Sequence, residues 1–590
     1  MRYVDEFTDA VRAQLALAYG VKDQLGYALR TRLREGYTTA DLRADAIAGV
    51  LVGIVALPLA MALAKATGVA PQHGLYTAII AGIVCALLGG SRLQITGPTA
   101  ALVVILEPIV QRYGLGGLFV AGGLAGVILV AMGLARLGKL LQFIPHPVTT
   151  GFTAGIAVVL VVIQLRDALG ITLTSSPHGT LEFIAALWRD RASANGWDAL
   201  VCAATLVLLV GLPRLIKRVP APLVAMIGAA ALTALLVAVV DGFHAATIGS
   251  TFSTVVDGET VRGIPPLPPL PVVPWHLGDA SGAAMHLDYA LVRELLPAAF
   301  AIAMLSAIES LMSAVVADGM AGTKHDPNAE LIALGIGNIV CPFFGGLACT
   351  GVLASTATNV RAGARSPLSS VVQALFVLAS TLALAPLMGY LPLAALAALL
   401  LVVARNLSEV RHFVRLVRIA PRADVVVMLT CFSLTVVFDM VIAVTVGIVL
   451  AALLFMRRMA VLTRITLDTK PATTMEMPPG VKLYEIAGPM FFGAANVAME
   501  TLDSVSDDDR TVILSMKHVE VMDSTALVAL ESTLDRLGRG GRKVILSGIG
   551  AEPAALLERA GIKRIPGQLA FAPDLDTAVS MAIVHTARTP

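Results

Sequence analysis

The chain is short of charge. Of its 590 residues 14% are charged, against roughly 25% in an ordinary soluble domain. Its 43 lysines and arginines nearly balance 41 aspartates and glutamates. So even a balance gives a polyanion nothing to hold, which excludes a nucleic-acid binder. Aromatic residues are only 5%, so the apolar content is mostly aliphatic. The five cysteines, Cys85, Cys202, Cys341, Cys349 and Cys431, stand in apolar stretches and form no CxxC pair. They read as small buried hydrophobes, not as disulfide partners or metal ligands. No apolar run follows Met1 within the first 40 residues, so a cleavable signal peptide is not expected. What is present is hydrophobic mass: 57% of residues and a mean hydropathy of +0.81. Only hydrocarbon tolerates that balance, which points to a polytopic membrane protein rather than a soluble or disordered chain.

The charge is unevenly spread. Residues 470–590 hold twelve basic and fifteen acidic residues, whereas the first 469 hold 31 and 26. This divides the chain into an N-terminal segment (1–40), a membrane domain (41–460) and a water-soluble C-terminal domain (461–590).

A span needs about 20 apolar residues. Spans are predicted near 44–66, 74–90, 115–137, 148–170, 198–216, 221–243, 290–318, 328–346, 367–390, 391–405, 424–440 and 441–457. Two apolar pieces, 97–110 and 351–360, are too short to cross unaided; as half-spans they bring the count to fourteen. Basic residues fall in alternate loops: Arg92, Arg136 and Lys139; Arg214, Lys217 and Arg218; Lys324, Arg361 and Arg365; Arg405, Arg411, Arg415, Arg418 and Arg422; Arg457, Arg458 and Arg464. The long opposite loop, 244–289, has only Arg262, with Arg189 and Arg191 as mild exceptions elsewhere on that side. The positive-inside rule then places both termini in the cytoplasm.

The membrane domain repeats itself. Ile83–Gly90 (IVCALLGG) resembles Ile339–Gly346 (IVCPFFGG), and Thr96-Gly97 and Thr350-Gly351 follow in turn. Leu134-Ala135 with Ile144-Pro145 is echoed by Leu384-Ala385 with Leu391-Pro392. Seven segments separate the copies, and an odd number inverts the second. Inverted repeats with interrupted helices mark secondary transporters. A helix that starts at the midplane leaves its first N–H groups without partners and carries about half a positive charge there. Two such starts, at Gly97–Ala100 and Gly351–Ala354, make a candidate anion site. Kinks in ordinary packed helices are the plainer reading, and the repeat weighs against it.

Glu309 is the sharpest single residue, a carboxyl inside an apolar span. A proton held there would accompany an anion; a structural, hydrogen-bonded carboxyl is the alternative. Glu107, expected to end a half-helix at Pro108, and Asp318 and Asp439 at span ends read as interfacial. His73, His146 and His325 read as interfacial residues too. Enzyme motifs fail: Gly133–Lys139 resembles a P-loop, but Leu140 replaces the needed hydroxyl. Gly548-Ile549-Gly550 meets Pro553 where a dinucleotide fingerprint has glycine. There is no HExxH.

In the C-terminal domain, strands over Val481–Ile486, Thr511–Met516 and Lys543–Leu546 alternate with helices over Ser524–Leu537 and Pro553–Ala560, with Asp523 as N-cap. This is an α/β domain.

Gly68–Tyr76 (GVAPQHGLY), Gly90-Ser91-Arg92, Gly97–Ala100, Ala303–Ser310 and Asn359–Ala364 resemble the SulP (sulfate permease) anion transporters, over nearly everything after residue 40. Residues 57–78, 315–325 and 433–460 are similar to the bacterial aerobic C4-dicarboxylate subgroup. The resemblance implies a seven-plus-seven inverted repeat split into core and gate domains, a homodimer, and a cytoplasmic STAS domain. It implies a substrate site built from Leu59 and Leu63; Thr99, Ala100 and Ala101; and Thr350, Gly351, Val352, Leu353, Ala354 and Ser355. Glu309 and Ser313 would serve a coupling proton or sodium ion. Many relatives carry arginine where this chain has Ser355, so the helix ends must meet the anion with less help. Val521–Leu527 resembles the STAS strand-to-helix turn, in which the hydroxyl aligned with Thr525, beside Ser524, is phosphorylated in one branch. Ala526 replaces the usual glycine, so capping and packing are favoured over regulation.

The expected function is inward, proton-coupled transport of a C4-dicarboxylate across a bacterial inner membrane. Sulfate or bicarbonate, with sodium as a coupling ion, is the nearest rival. A channel or a signalling protein acting through the STAS domain is the rival of another class. The expected partners are the anion, membrane lipid, a second copy and a cytoplasmic protein at the STAS domain; no cofactor, metal or nucleic acid is expected.

Overall fold

A computed structural model describes residues 24–141, 145–175, 177, 179–215, 220–256, 259–278, 287–438, 440–462, 464–467, 477–491 and 509–586. Residues 1–23 of the N-terminal segment, Ile144, Lys217, Arg218 and Asp439 lie outside them. The chain divides by packing into two compact units, Met1–Ile448 and Val449–Pro590.

The first unit is helical: α1 (Thr39–Ala66), α2 (Pro71–Leu88), α3 (Ala100–Leu134), α4 (His146–Ala168), α5 (Gly196–Leu215), α6 (Ala221–Val239), α7 (Tyr289–Ala321), α8 (Pro327–Val340), α9 (Leu353–Arg361), α10 (Leu368–Met388), α11 (Leu393–Leu407), α12 (Arg422–Val437) and α13 (Met440–Leu462), whose end runs into the second unit. Among the described residues, ten helices are long and apolar enough to cross a membrane. Gly114, at φ +68°, breaks α3 into a half-helix and a span, so the fourteen expected segments are all present. The break corrects one expectation. The half-helix does not stop at Pro108, which lies inside α3. Other helices and waters can re-satisfy a backbone group freed by proline in a membrane; a left-handed φ ends a helix outright, and glycine adopts it without steric cost.

The helices form two packed sets, segments one to four with eight to eleven (α1–α3, α7–α10), and α4, α5, α6, α11 and α12. Small residues set the closeness of the first. A Cβ on Gly126 of α3 would lie 2.6 Å from the Gly335 carbonyl oxygen of α8, and one on Gly335 would lie 2.7 Å from the Gly126 oxygen. Inside a membrane, where water does not press helices together, backbone approach of this kind supplies the packing energy.

Two two-residue strands sit inside this set, β1 (Thr96–Gly97) and β2 (Thr350–Gly351). They pair antiparallel with reciprocal register, Thr96 opposite Gly351 and Gly97 opposite Thr350. The echoed dipeptides therefore face each other across the local two-fold relation the repeat implied.

The second unit is a five-stranded sheet in the order β3 (Arg464–Leu467), β4 (Val481–Ala487), β5 (Thr511–His518), β6 (Lys543–Ser547) and β7 (Leu569–Ala572), antiparallel at β3 and parallel elsewhere. Helices α14 (Ser524–Arg539) and α15 (Ala551–Arg559) pack on one face and α16 (Leu575–Thr586) on the other. Covered on both sides, Val512, Ile513 and Leu514 are fully buried, a continuous apolar run typical of a parallel strand. Two strands and α16 escape the sequence pattern. Each strand is four residues long, and Leu569–Ala572 is half alanine, without the β-branched signal that marks the centre of the sheet.

Candidate functional site

The site is built where the two half-helices begin. Beyond the paired strands, the Val352 N–H donates to the Ile95 carbonyl at 2.8 Å, and the Ile95 N–H donates to the Thr356 hydroxyl at 3.0 Å. The Thr350 hydroxyl donates to the Ser306 carbonyl at 2.7 Å, fixing β2 to α7. Both half-helices open on residues that offer no side-chain cap, Thr99 for α3 and Val352 for α9. Valine has no cap to give. Thr99 carries a hydroxyl, but it donates to Oε2 of Glu309 at 3.0 Å and accepts nothing from the first turn. The helix starts thus keep first-turn N–H groups free of their usual side-chain partner.

A cavity of about 20 Å3 opens between these starts and α1, room for a single water. Of the residues expected at the site, Leu59, Val352 and Ser355 line it, with Thr96, Gly97 and Pro98 of the half-helix approach. Among the described residues, no charged side chain lines it. Thr99, Ala100 and Ala101 sit at the start of α3, Thr350 and Gly351 form β2 behind the cavity, and Leu63 is buried in the helix packing. Leu353 and Ala354 are exposed at the start of α9. Glu309 is half-buried and meets Thr99. Ser313 does not join it: its hydroxyl donates to Thr356 at 3.0 Å, tying α7 to α9. Every third or fourth residue of α7 on that face is serine, and Ser306, Ser310 and Ser313 are fully buried.

Three buried polar residues went unremarked in the sequence. Glu330, in the first turn of α8, takes the Gly90 and Ser91 N–H groups on Oε2, each at 3.0 Å. On Oε1 it takes Gln94 at 3.0 Å and Ser310 at 3.3 Å. Asp45 of α1 accepts from the Arg365 N–H at 2.6 Å, the Ser366 N–H at 3.1 Å and the Tyr37 hydroxyl at 2.7 Å. Each carboxylate belongs to one repeat and holds a backbone turn of the other. Both are acids within or at the start of an apolar span, the signal that singled out Glu309. The third, Gln373 of α10, lines the cavity.

The other charges are placed too. Glu107 takes a hydrogen bond from Gln111. Asp318 accepts from the Thr323 hydroxyl at 2.6 Å and the His325 N–H at 2.8 Å, closing the end of α7. Lys65 at the end of α1 pairs with Asp167 at the end of α4. His73 departs from expectation. It bonds the Gly345 carbonyl at 2.7 Å and packs edge-on against Phe119, an interior link rather than an interfacial one.

In the second unit Asp523 caps α14, accepting the Ala526 N–H at 2.8 Å. Ser524 and Thr525 are exposed in the first turn. The cap therefore comes from the carboxylate, not from the hydroxyl of Thr525.

The sequence pattern of the sulfate permease family matches residues 42–431, and that of the STAS domain matches residues 472–578. This chain belongs to the sulfate permease family. It is an anion transporter of that family and not an enzyme. The Bacillus subtilis protein YvdB, which carries a provisional sulfate-transporter name, is 39% identical over 90% of this chain and 95% of its own. The bicarbonate transporter BicA of Picosynechococcus is 28% identical over 89% of this chain and 92% of its own. Among solved structures, murine solute carrier 26 family member A9, an anion transporter in its inward-facing state, shares the fold. Its TM-score is 0.82 at 18% identity, over 96% of this chain and 95% of that one. The transmembrane domain of a cyanobacterial BicA gives a TM-score of 0.58 at 27% identity, over 70% of this sulfate permease family member and 98% of that chain.

Proposed function

We propose that the chain is a proton-coupled carrier that takes a small dianion, a C4-dicarboxylate such as succinate or fumarate, into the cell across the bacterial inner membrane. The observation that carries the coupling is the Thr99–Glu309 hydrogen bond beside two uncapped helix starts. An anion at those starts is met by N–H groups and partial positive charge. Among the described residues, no basic side chain lines the cavity to offset it. An ionised Glu309 would repel the anion, so the two share the site when Glu309 carries a proton, and the proton travels with the cargo. Intramembrane carboxyls are costly and serve such relays.

The likeness of residues 57–78, 315–325 and 433–460 to the aerobic dicarboxylate subgroup supports the substrate. A second reading has its own support. YvdB and BicA carry sulfate and bicarbonate names, and Glu309 offers oxygen ligands to sodium as well as to a proton. The cavity as it stands has room for one water, and the residues that line it all belong to the first helix set, so loading requires that set itself to open. That supports a carrier that changes conformation rather than an open channel. The alternation of basic loops supports cytoplasmic termini and a cytoplasmic STAS domain, and the family resemblance supports a homodimer.

Counterflow in proteoliposomes tests both readings, with succinate, fumarate, sulfate, bicarbonate and chloride at two pH values, with and without sodium. Exchange of succinate and fumarate that quickens with an inward proton gradient is expected. Failure of both to compete overturns the dicarboxylate reading, and a sodium requirement overturns proton coupling.

A further inference from the structure

Gln373 sits on α10, outside the four segments that the resemblance ties to substrate. It nonetheless lines the cavity between the half-helix starts, together with Val352 and Ser355. It is 1% exposed, and its Oε1 has no hydrogen-bond partner. Buried amides are almost always paired, because an unpaired one forfeits its hydrogen bonds to water. A leucine would fill the same space without that loss, so packing alone does not explain a glutamine here.

The position is rigidly held. One turn earlier, the Ser370 hydroxyl donates to the Gly82 carbonyl of α2 at 3.1 Å. The Asn359 carboxamide of α9 donates to the Ser369 hydroxyl at 2.9 Å. Gly82 also makes room for the carboxamide: a Cβ there would lie 3.3 Å from Gln373 Oε1. A neutral carboxamide on α10 thus joins a site whose other lining groups are small, apolar or hydroxylic.

We propose that Gln373 is a substrate-positioning residue, its carboxamide N–H group donating to an oxygen of the bound oxyanion. The carboxamide is flat and can turn over without changing shape, so it presents N–H to an ionised oxygen or C=O to a protonated one. This inference rests on the cavity being the substrate site, as proposed above.

The test uses the full-length protein in proteoliposomes and whichever of succinate, sulfate and bicarbonate the parent carries. Gln373→Leu removes the amide and keeps the volume. The expected result is a KM raised about tenfold, the loss of one hydrogen bond to a charged group, with a melting temperature equal to or above the parent's. Gln373→Glu is expected to lose transport at neutral pH and recover part of it in acid. An unchanged KM in Gln373→Leu overturns the proposal, as does a lowered melting temperature with a parallel loss of kcat alone, the mark of a structural residue. Ser355→Trp, or Ala56→Leu where the tryptophan does not fold, fills the cavity. If the filled protein still transports, or the parent carries none of the three anions, the site reading itself fails. If filling abolishes transport and Gln373→Leu leaves KM unchanged, only the role of Gln373 fails.

Discussion

The hydroxyl of Thr99 donates to the carboxylate of Glu309 at 3.0 Å, although Thr99 stands at the N-cap of a helix that has no other side-chain cap. The bond couples this open helix start to the one carboxyl in the middle of α7. Thr99→Val keeps the shape and removes the donor. It is expected to move the pH midpoint of transport, whereas Thr99→Ser is expected to keep it; uptake rates across a pH series in proteoliposomes check both.

Glu330 holds four donors from the Gly90–Gln94 turn and α7. Glu330→Ala leaves the buried Gly90 and Ser91 N–H groups and the Ser310 hydroxyl without this acceptor, while Gln94 keeps only Ser310. Removing one partner of a buried charged network costs about 3 kcal/mol or more, so a clear fall in melting temperature in detergent is expected. Glu330→Gln keeps one acceptor oxygen and is expected to fall less. The readout is stability first, with transport following the amount of folded protein.

Lys65 and Asp167 join helices of different sets, α1 and α4. If the sets move against each other during transport, this pair forms in one state and parts in another. Lys65→Asp and Asp167→Lys are each expected to slow uptake by placing like charges together. The double exchange is expected to recover much of the parent rate, which a four-way comparison of initial rates measures.

The cap of α14 makes a prediction for the soluble unit alone. Asp523→Ala frees the Ala526 N–H and is expected to destabilise that domain by about 1 kcal/mol, seen as a lower unfolding midpoint in denaturant. Thr525→Ala, at an exposed position, is expected to change nothing there.

Much of this was legible in the sequence because it is local. Spans follow from runs of apolar residues, and the paired half-helices follow from the echoed Thr-Gly dipeptides, which the structure places face to face. The expected segments 97–110 and 115–137 bracket the break at Gly114, whereas ending the half-helix at Pro108 follows proline, the louder local signal. Glu330, Asp45 and Gln373 were passed over for another reason. Their partners lie 240, 320 and more positions away or, for Gln373, in a cavity that only the assembled helices enclose. Ser313 stands one turn from Glu309, which made the two look like one site, but its hydroxyl turns to Thr356 on α9.

The most direct test is the pH dependence of Glu309→Gln. In proteoliposomes with an imposed inward proton gradient, the parent should accumulate substrate against its gradient. Glu309→Gln, permanently neutral, should still exchange substrate but no longer accumulate it or respond to pH between 5 and 8, the range chosen for the assay. Accumulation and pH response unchanged in Glu309→Gln would contradict a coupling role for this carboxyl.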